Sequence, residues 1–264
     1  MSASVQEVAG ADCKSILRLE GLPDESTVSY FSGSLVAGHG NAWSDIDVYA
    51  IGDRGPIGPN AFKQRTETVS VHFAFARRID FEFWPRAGVA ELADRLRDVQ
   101  IGTPLQDELF STAEEALIHR LKIGVTTHDQ VQRFETLRLT FDFEKFRAYL
   151  VQKSLRAVDH LVEDVSGMME SKQFLTAVFT ARSMVDFAVD AYCHSQGNTD
   201  PSKKWRIIHL QHYCRDDDIR SRYFGLALPA SSLCEAEPGA CRRYTDSCLY
   251  FINDIVDLVQ PQCS

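Results

Sequence analysis

The stretch FSGSLVAGHGNAWSDIDV, residues 31–48, decides how this chain begins to fold. The β-prone residues 27–31 stop at Gly33, and residues 44–51 alternate carboxylates with apolar side chains. Because successive side chains of a strand point to opposite faces, this pattern predicts two short strands joined by a glycine-rich connection. Gly33 and Ser34 are placed to open a short helix after the first strand.

Asp45 and Asp47 carry the chemistry that this stretch suggests. They are two apart on a predicted strand, so both leave the same face while the apolar residues between them enter the core. Neighbouring carboxylates repel each other unless a cation lies between them. Oxygen ligands suit Mg²⁺, which commonly takes one or two protein carboxylates together with substrate phosphates. Glycine at position 33 lets the backbone approach a phosphate, to which the Ser34 hydroxyl and amide N–H groups can donate.

A third carboxylate is expected from a neighbouring strand. Residues 78–84, RIDFEFW, predict such a strand and offer Asp80 and Glu82 on one face. Three carboxylates that bracket two divalent ions support in-line displacement at phosphorus. One ion activates the attacking hydroxyl and the other neutralises the leaving oxygen. Residue types and spacing therefore predict this reaction class, and they leave open whether Asp80 or Glu82 contributes.

The arrangement resembles the nucleotidyltransferase superfamily, which includes the polymerase-beta-type enzymes and the kanamycin nucleotidyltransferases. The family signature is a hydrophobic residue, Gly, then Gly or Ser, a gap, and Asp-hydrophobic-Asp or Glu-hydrophobic. Here it reads Gly33-Ser34, residues 35–44, and Asp45-Ile46-Asp47-Val48. Ser32 stands where a hydrophobic residue usually precedes the glycine. The resemblance covers residues 26–85.

This resemblance implies a mixed sheet with flanking helices and an enzyme that moves a nucleotidyl group from an NTP. It implies that Gly33 and Ser34 bind the triphosphate. It also implies three catalytic carboxylates that bind two Mg²⁺ ions. Two of them are Asp45 and Asp47, and the third is either Asp80, which we prefer, or Glu82.

Several polar residues outside the motif are further candidates. His39 lies between the two halves of the motif, near the expected phosphates, either as a substrate contact or as a solvent-exposed loop histidine. Lys204, next to a tryptophan, could contact the triphosphate or belong to a solvated loop. Arg182, Asp186 and Asp190 share one face of a predicted helix. They form either a salt-bridged surface or a group in which an aspartate orients the acceptor.

After about residue 105 the strand pattern gives way to helical periodicity. Apolar residues at helical spacing predict helices over residues 108–122, 141–165, 174–192 and 240–259. We therefore expect the α+β class, with a boundary between residues 105 and 106. The resemblance implies a nucleotidyltransferase catalytic domain over residues 1–105 and a helical bundle over residues 106–264 that binds the second substrate. Its apolar faces could pack internally or form a homodimer.

Composition narrows the partners and the compartment. Lys+Arg 28 against Asp+Glu 37 give a formal net charge of −9, and the basic residues are scattered, which argues against a nucleic-acid partner. No apolar run approaches the roughly 20 residues that span a bilayer, and no secretory signal is visible at the start. We therefore expect a cytoplasmic protein without a membrane partner. The 7 cysteines include no Cys-x-x-Cys pair, so buried reduced thiols are expected.

The preferred interpretation is a Mg²⁺-dependent nucleotidyltransferase. It would transfer NMP, with AMP from ATP the expected case, to a hydroxyl of a small-molecule acceptor and release pyrophosphate. The acidic charge and the helical half favour a small acceptor over a processive polymerase. The alternatives are a non-catalytic nucleotide-binding regulatory or antitoxin-type module, a protein- or RNA-directed nucleotidyltransferase, and a second-messenger synthase.

Overall fold

The computed structural model describes residues 12–22, 24–57, 60–64, 66–102, 109–127, 130–227 and 237–260. These residues form a five-stranded mixed sheet and a set of helices, which confirms the α+β class. Contacts divide them into two units, the first within residues 12–99 and 110–143 and the second within residues 100–109 and 144–260. Residues 110–143 thus group with the sheet, although they follow the domain boundary predicted at residues 105 and 106, which themselves lie outside the described residues.

The first unit contains the sheet. Its elements in chain order are α1 (Cys13–Arg18), β1 (Val28–Ser32), α2 (Gly33–Val36), β2 (Ile46–Ile51), β3 (Ala61–Lys63), β4 (Thr68–Ala74), β5 (Arg77–Trp84), α3 (Arg86–Asp98), α4 (Thr112–Ile123) and α5 (Val131–Arg138). The strand order is β1-β2-β5-β4-β3. β2 and β5 run parallel, and the other neighbours are antiparallel.

The two faces of the sheet are packed differently. On one face, Val48 and Phe81 lie in an apolar cluster with Ile16 of α1. On the other face, the ring of Tyr30 stacks on Tyr49 at a centroid distance of 5.2 Å and lies against Phe134 of α5 at 4.8 Å. Because side chains alternate along a strand, the odd-numbered residues of β2 belong to this second face, and so does Asp47.

The two edges of the sheet are short or already paired. At the β1 edge, Phe31 and Val125 exchange backbone hydrogen bonds, with N to O distances of 2.7 and 2.9 Å. At the other edge, β3 has only three residues, and all three are exposed. In the part of the chain that the structure describes, neither edge presents a long row of unpaired backbone groups.

The second unit is helical. Its elements are α6 (Phe143–Glu170), α7 (Phe174–Ser195), a 3-10 turn (Lys203–Trp205), α8 (Arg206–Tyr213), α9 (Asp217–Ala227) and α10 (Pro238–Val259). α7 and α10 pack on each other and carry most of an apolar core. The predicted long helices are confirmed within a few residues of their expected ends. Gly197, at a φ of +112°, follows α7 in the left-handed conformation that commonly ends helices.

Cysteines follow the expected pattern where the structure describes them. The described cysteines are free and buried, and they are Cys13, Cys193, Cys214, Cys241 and Cys248. Cys234 and Cys263 lie outside the described residues. Among the described residues, no helix has both the length and the hydropathy that a bilayer-spanning helix needs.

Candidate functional site

Asp47 and Asp80 are register partners on neighbouring parallel strands. Asp47 of β2 pairs with Asp80 of β5, and Tyr49 pairs with Glu82 one step further along. Partners in such a ladder point to the same face, so the two aspartates lie side by side. Glu82 lies beside Tyr49 instead, which distinguishes two carboxylates that the sequence alone did not separate.

Asp45 lies just before β2 and not within it, contrary to the strand predicted over residues 44–51, because β2 begins at Ile46. An Asx turn precedes the strand: the Asn41 side-chain oxygen accepts a hydrogen bond from the Trp43 backbone N–H at 2.8 Å. The Ser44 hydroxyl in turn accepts from the Asn41 N–H at 2.9 Å. The Asp45 carboxylate is therefore carried by a loop at the start of the strand.

Gly33 and Asp47 are in close contact at the junction of β1 and α2. Ser32, the last residue of β1, is the register partner of Asp47, and the chain then turns through Gly33 at a φ of +85°. A Cβ on Gly33 would overlap the Asp47 Oδ2 and lie 2.6 Å from the carboxyl carbon. The glycine therefore meets two needs at once, the left-handed backbone and the space for the carboxylate.

The Asp47 carboxylate is partly buried and crowded by charge. Burial raises its pKa from 3.8 to about 6. The positive charge of Arg120 opposes this rise, while the negative charges of Asp80 and Asp45 add to it. A carboxyl group whose pKa is raised by burial and by like charges is a common feature of functional sites.

Glu82 has a different environment on the same face. Burial raises its pKa to about 7. The Tyr49 hydroxyl donates to its Oε1 at 3.2 Å, and the Trp84 indole N–H donates to its Oε2 at 3.4 Å. Both carboxylate oxygens thus accept from side chains of the sheet itself.

Arg78 forms ion pairs with two of the carboxylates, those of Asp80 and Asp45. Its Nε and Nη2 each donate to an Asp80 oxygen at 2.7 Å, a bidentate pair, and its Nε lies 3.9 Å from the Asp45 Oδ2. Within the described part of the chain, the oxygens of Asp45, Asp47 and Asp80 do not all approach within 4.8 Å of one another. The guanidinium group thus supplies the counter-charge for part of this acidic cluster.

Arg120 is a basic residue of the site that sequence reasoning missed. It lies on α4, and its positive charge lowers the pKa values of both Asp47 and Glu82. Its backbone oxygen accepts from the Ser32 hydroxyl at 2.9 Å, which ties α4 to the end of β1. No spacing signal could have found it, because only the folding of α4 onto the sheet brings this distant residue to the motif.

Ser34 and His39 belong to one closed loop. After the short helix α2, the Ser34 carbonyl accepts backbone N–H bonds from His39 at 2.9 Å and from Gly40 at 2.8 Å. The structure therefore brings the His39 backbone to the Ser34 end of the motif. The expectation that His39 contacts substrate stays a prediction.

Lys204 lies in the second unit, in the 3-10 turn, with its Nζ 4.7 Å from the centroid of the Trp205 ring. It stacks on its neighbour as a cation–π pair. Its expected contact with a triphosphate stays a prediction.

The acidic face of α7 is a salt-bridged network. Asp186 is paired with Arg182 at 2.6 Å and with the Arg206 Nη1 at 3.1 Å. Asp190 accepts from the Arg206 Nε and Nη2 at 2.7 and 2.8 Å. The Tyr223 hydroxyl also donates to Asp186 at 2.9 Å. Of the two interpretations of this face, the contacts favour the salt-bridged one.

Comparison of the chain with protein-family models yields no match, and no curated protein is significantly similar to it. The resemblance to the nucleotidyltransferases therefore depends on the motif residues and on the geometry described above.

Proposed function

We propose that this chain is a Mg²⁺-dependent nucleotidyltransferase that transfers NMP, in the expected case AMP from ATP, to a hydroxyl of a small-molecule acceptor. The observation that carries the proposal is the pairing of Asp47 with Asp80 on adjacent parallel strands, with Gly33 packed against Asp47. The motif residues, distant in sequence, thus meet at one end of one sheet face.

The carboxylates suit a divalent cation. Burial and the neighbouring charges of Asp80 and Asp45 raise the pKa of Asp47 to about 6, against the opposing charges of Arg120 and Arg78, so the protein disfavours its ionised form. Oxygen donors of this kind are the usual ligands of Mg²⁺. Asp45, Asp47 and Asp80 would hold the ions. When bound, Mg²⁺ supplies activation of the attacking hydroxyl and neutralisation of charge on the departing pyrophosphate.

The phosphates would bind at the junction of β1 and α2. Gly33 is itself buried against Asp47, so we assign phosphate binding to the half-buried Ser34, whose hydroxyl and backbone N–H can donate. Arg120 approaches Asp47 from α4 closely enough to lower its pKa. We assign Arg120 to the negative charge of the triphosphate, which is delocalised over oxygens that a guanidinium group binds well.

Asp80 would receive the acceptor hydroxyl. It lies on the side of Asp47 away from β1, so a hydroxyl that approaches Asp80 can attack a phosphorus atom whose leaving group lies toward Gly33. The hydroxyl proton would pass to an Asp80 carboxylate oxygen. For this, the Asp80 oxygens must be freed from Arg78, whose half-exposed guanidinium can turn toward solvent on the side of Asp80 away from the phosphates.

The test is pyrophosphate release from each NTP with Mg²⁺, with and without a pooled set of hydroxyl-bearing acceptors. The variant is Asp47→Asn, which keeps the shape that packs against Gly33 and removes the charge. The matched control is Asp53→Asn, an exposed aspartate just beyond the other end of β2. Acceptor-dependent release that is lost in Asp47→Asn and kept in Asp53→Asn would support the proposal. Release without an acceptor would instead support a second-messenger synthase or self-modification.

A regulatory nucleotide-binding module is the second candidate. The observation that favours it is the bidentate pair of Arg78 with Asp80, which provides a counter-charge without a metal ion. Such a module would bind an NTP and release no pyrophosphate from any of them. Equilibrium binding of a fluorescent ATP analogue, measured beside the release assay, separates the two functions.

A further inference from the structure

The carboxylate face continues, beyond Asp80, into a pocket lined by exposed aromatic side chains. The cavity has a volume of about 520 Å³. The aromatic side chains that line it are Trp43, Phe73 and Phe75, with exposed fractions of 93%, 82% and 49%. Asp45 and Arg78, two residues of the candidate site, line the same cavity. Large exposed aromatic groups that cluster around a cavity commonly mark a binding site.

The hairpin that carries two of these rings has a strained tip. Phe75 and Ala76 connect β4 to β5, and their φ values are +53° and +57°. Two-residue hairpin turns of this kind normally use Asn or Gly, because side chains disfavour positive φ. The Arg77 guanidinium donates to the Ser44 carbonyl at 3.0 Å, which joins the hairpin to the loop that carries Trp43. Backbone strain of this kind is concentrated at ligand sites.

The strand order places this pocket on one particular side of the carboxylates. Across the sheet, β1 leads to Gly33, β2 carries Asp47, β5 carries Asp80, and β4 carries Phe73. Phe73 is the register partner of Arg78 and so shares the face of Asp80. Phosphates at Gly33 and the aromatic pocket therefore lie on opposite sides of the two aspartates. An in-line displacement needs the nucleophile on the side opposite to the leaving group.

We propose that this aromatic pocket, and not the helical bundle expected from the resemblance, binds the acceptor, and that the acceptor is a small aromatic compound whose hydroxyl lies on the ring or one carbon away from it. This inference rests on the proposed nucleotidyltransferase function and names its substrate class. In the reaction, the acceptor oxygen forms a bond to the α-phosphorus and the bond from that phosphorus to the bridging oxygen breaks. Pyrophosphate leaves with the electron pair, and the hydroxyl proton goes to Asp80.

The side chains around the pocket define the acceptor further. Among the described residues, Arg77, Arg78 and Asp45 line it, and Arg78 is already paired with Asp80. Stacking rather than net charge would therefore select the acceptor: an aromatic compound would stack on the rings and on a guanidinium plane, whereas an aminoglycoside has no aromatic ring to stack. The pocket therefore favours phenols and hydroxymethyl-aromatic compounds over aminoglycosides.

The experiment compares acceptors and variants in the pyrophosphate-release assay. The acceptors are a pooled panel of phenols and hydroxymethyl-aromatic compounds, an aliphatic polyol panel, kanamycin, and a single-stranded oligonucleotide. The variants are Trp43→Ala and Phe73→Ala. The control is Phe62→Ala on β3, which is 49% exposed and does not line the pocket. Quenching of tryptophan fluorescence by the aromatic panel, in Asp47→Asn without NTP, measures binding apart from chemistry.

We expect release with the aromatic panel only, and an acceptor KM that is about tenfold higher in Trp43→Ala and Phe73→Ala, with the KM for ATP within about twofold of the wild type. Quenching should disappear in a Trp43→Ala, Asp47→Asn double variant. The opposite result is that pyrophosphate is released with polyols, kanamycin or the oligonucleotide, and at the same rate in the two variants as in the wild type. That result would overturn the acceptor assignment and leave the proposed function standing. Absence of release with every acceptor would overturn both, whether or not the aromatic panel binds.

Discussion

The Asp47 Oδ2 occupies the space that a side chain on Gly33 would need, because a Cβ at that position would overlap this oxygen. The two residues belong to different elements: Gly33 is the first residue of α2 and Asp47 is the second residue of β2. Their contact fixes the turn at the start of α2 against the Asp47 carboxylate. Any larger residue at position 33 must displace Asp47, the backbone or both.

Gly33→Ala should destabilise the protein by more than the cost of its backbone conformation. A left-handed alanine costs about 1–2 kcal/mol, and the clash with Asp47 adds to this cost. Gly38→Ala is the matched control, because Gly38 has a φ of +78° and a Cβ added there would meet nothing within 4 Å. Urea unfolding should give a larger loss for Gly33→Ala than for Gly38→Ala. Equal losses of unfolding free energy in the two variants would show that the Asp47 side chain moves aside without an energetic cost.

Asp47→Asn should stabilise the metal-free protein at neutral pH. Burial raises the pKa of Asp47 from 3.8 to about 6, so the folded state favours the protonated form. The protonated carboxyl group therefore contributes to stability, and this contribution is fully present below pH 3.8. It is lost as the pH rises through about 6, and the ionised carboxylate then lowers the free energy of unfolding by at most about 3 kcal/mol. The advantage of Asn should therefore grow between about pH 4 and pH 7, as measured by unfolding at each pH.

Mg²⁺ provides the companion measurement to this titration. A cation that binds the folded state alone raises its stability as its concentration rises above the dissociation constant. Millimolar Mg²⁺ should therefore raise the Tm of the wild type at about pH 7.5 and leave that of Asp47→Asn unchanged. An equal shift in both proteins would place the ion elsewhere.

Ala76→Gly should stabilise the chain by about 1 kcal/mol, because glycine adopts a positive φ without the steric cost that alanine meets. The control is Ala37→Gly, at a φ of −69°, where glycine only adds freedom to the unfolded chain and should be destabilising. Differential scanning calorimetry of the two variants measures whether each is more or less stable than the wild type. A loss of stability in Ala76→Gly would mean that its methyl group makes a contact worth more than the strain.

Glu20→Gln should destabilise the protein. Glu20 is fully buried, and burial alone would raise its pKa, but bonds from Ser70, His72 and the Ile57 N–H lower it below 4.5. The ionised form therefore contributes stability above pH 4.5 that is lost as the pH falls through the folded pKa. We expect a loss of about 1–3 kcal/mol at neutral pH that shrinks in acid. The exposed Glu91→Gln is the control, and chemical unfolding at about pH 7 and pH 4 is the measurement.

The sequence predicted the elements whose hydrophobic period is long and unbroken. The helices α6, α7 and α10 repeat a helical pattern over at least 22 residues, and the strands β2 and β5 alternate charged and apolar residues, so both patterns are visible without the fold. The elements that it did not predict are α1, β3, α5, α8 and α9. These have at most 11 residues, and tertiary contacts rather than a repeated pattern define them.

The sequence named the carboxylates of the candidate site, but it did not predict which of them lie side by side or which basic residues approach them. The period of two placed Asp80 and Glu82 on one face, but only the strand register pairs Asp80 with Asp47. Arg120 and the aromatic ring of Phe73 come from other elements, so no local spacing points to them. Such residues become visible only when the strand order and the helix contacts are known.

The short edges of the sheet restrict how two copies of this chain could associate. Val125 already bonds to Phe31 at one edge, and at the other edge β3 pairs with β4 only from Thr68 to Ser70. Among the described residues, a continuous sheet across two copies would have only short stretches of free edge to use, such as residues 71–74 of β4, which disfavours its open-ended extension into a fibre. If a homodimer forms, its dissociation should depend on apolar contacts between side-chain surfaces more than on backbone hydrogen bonds between strands.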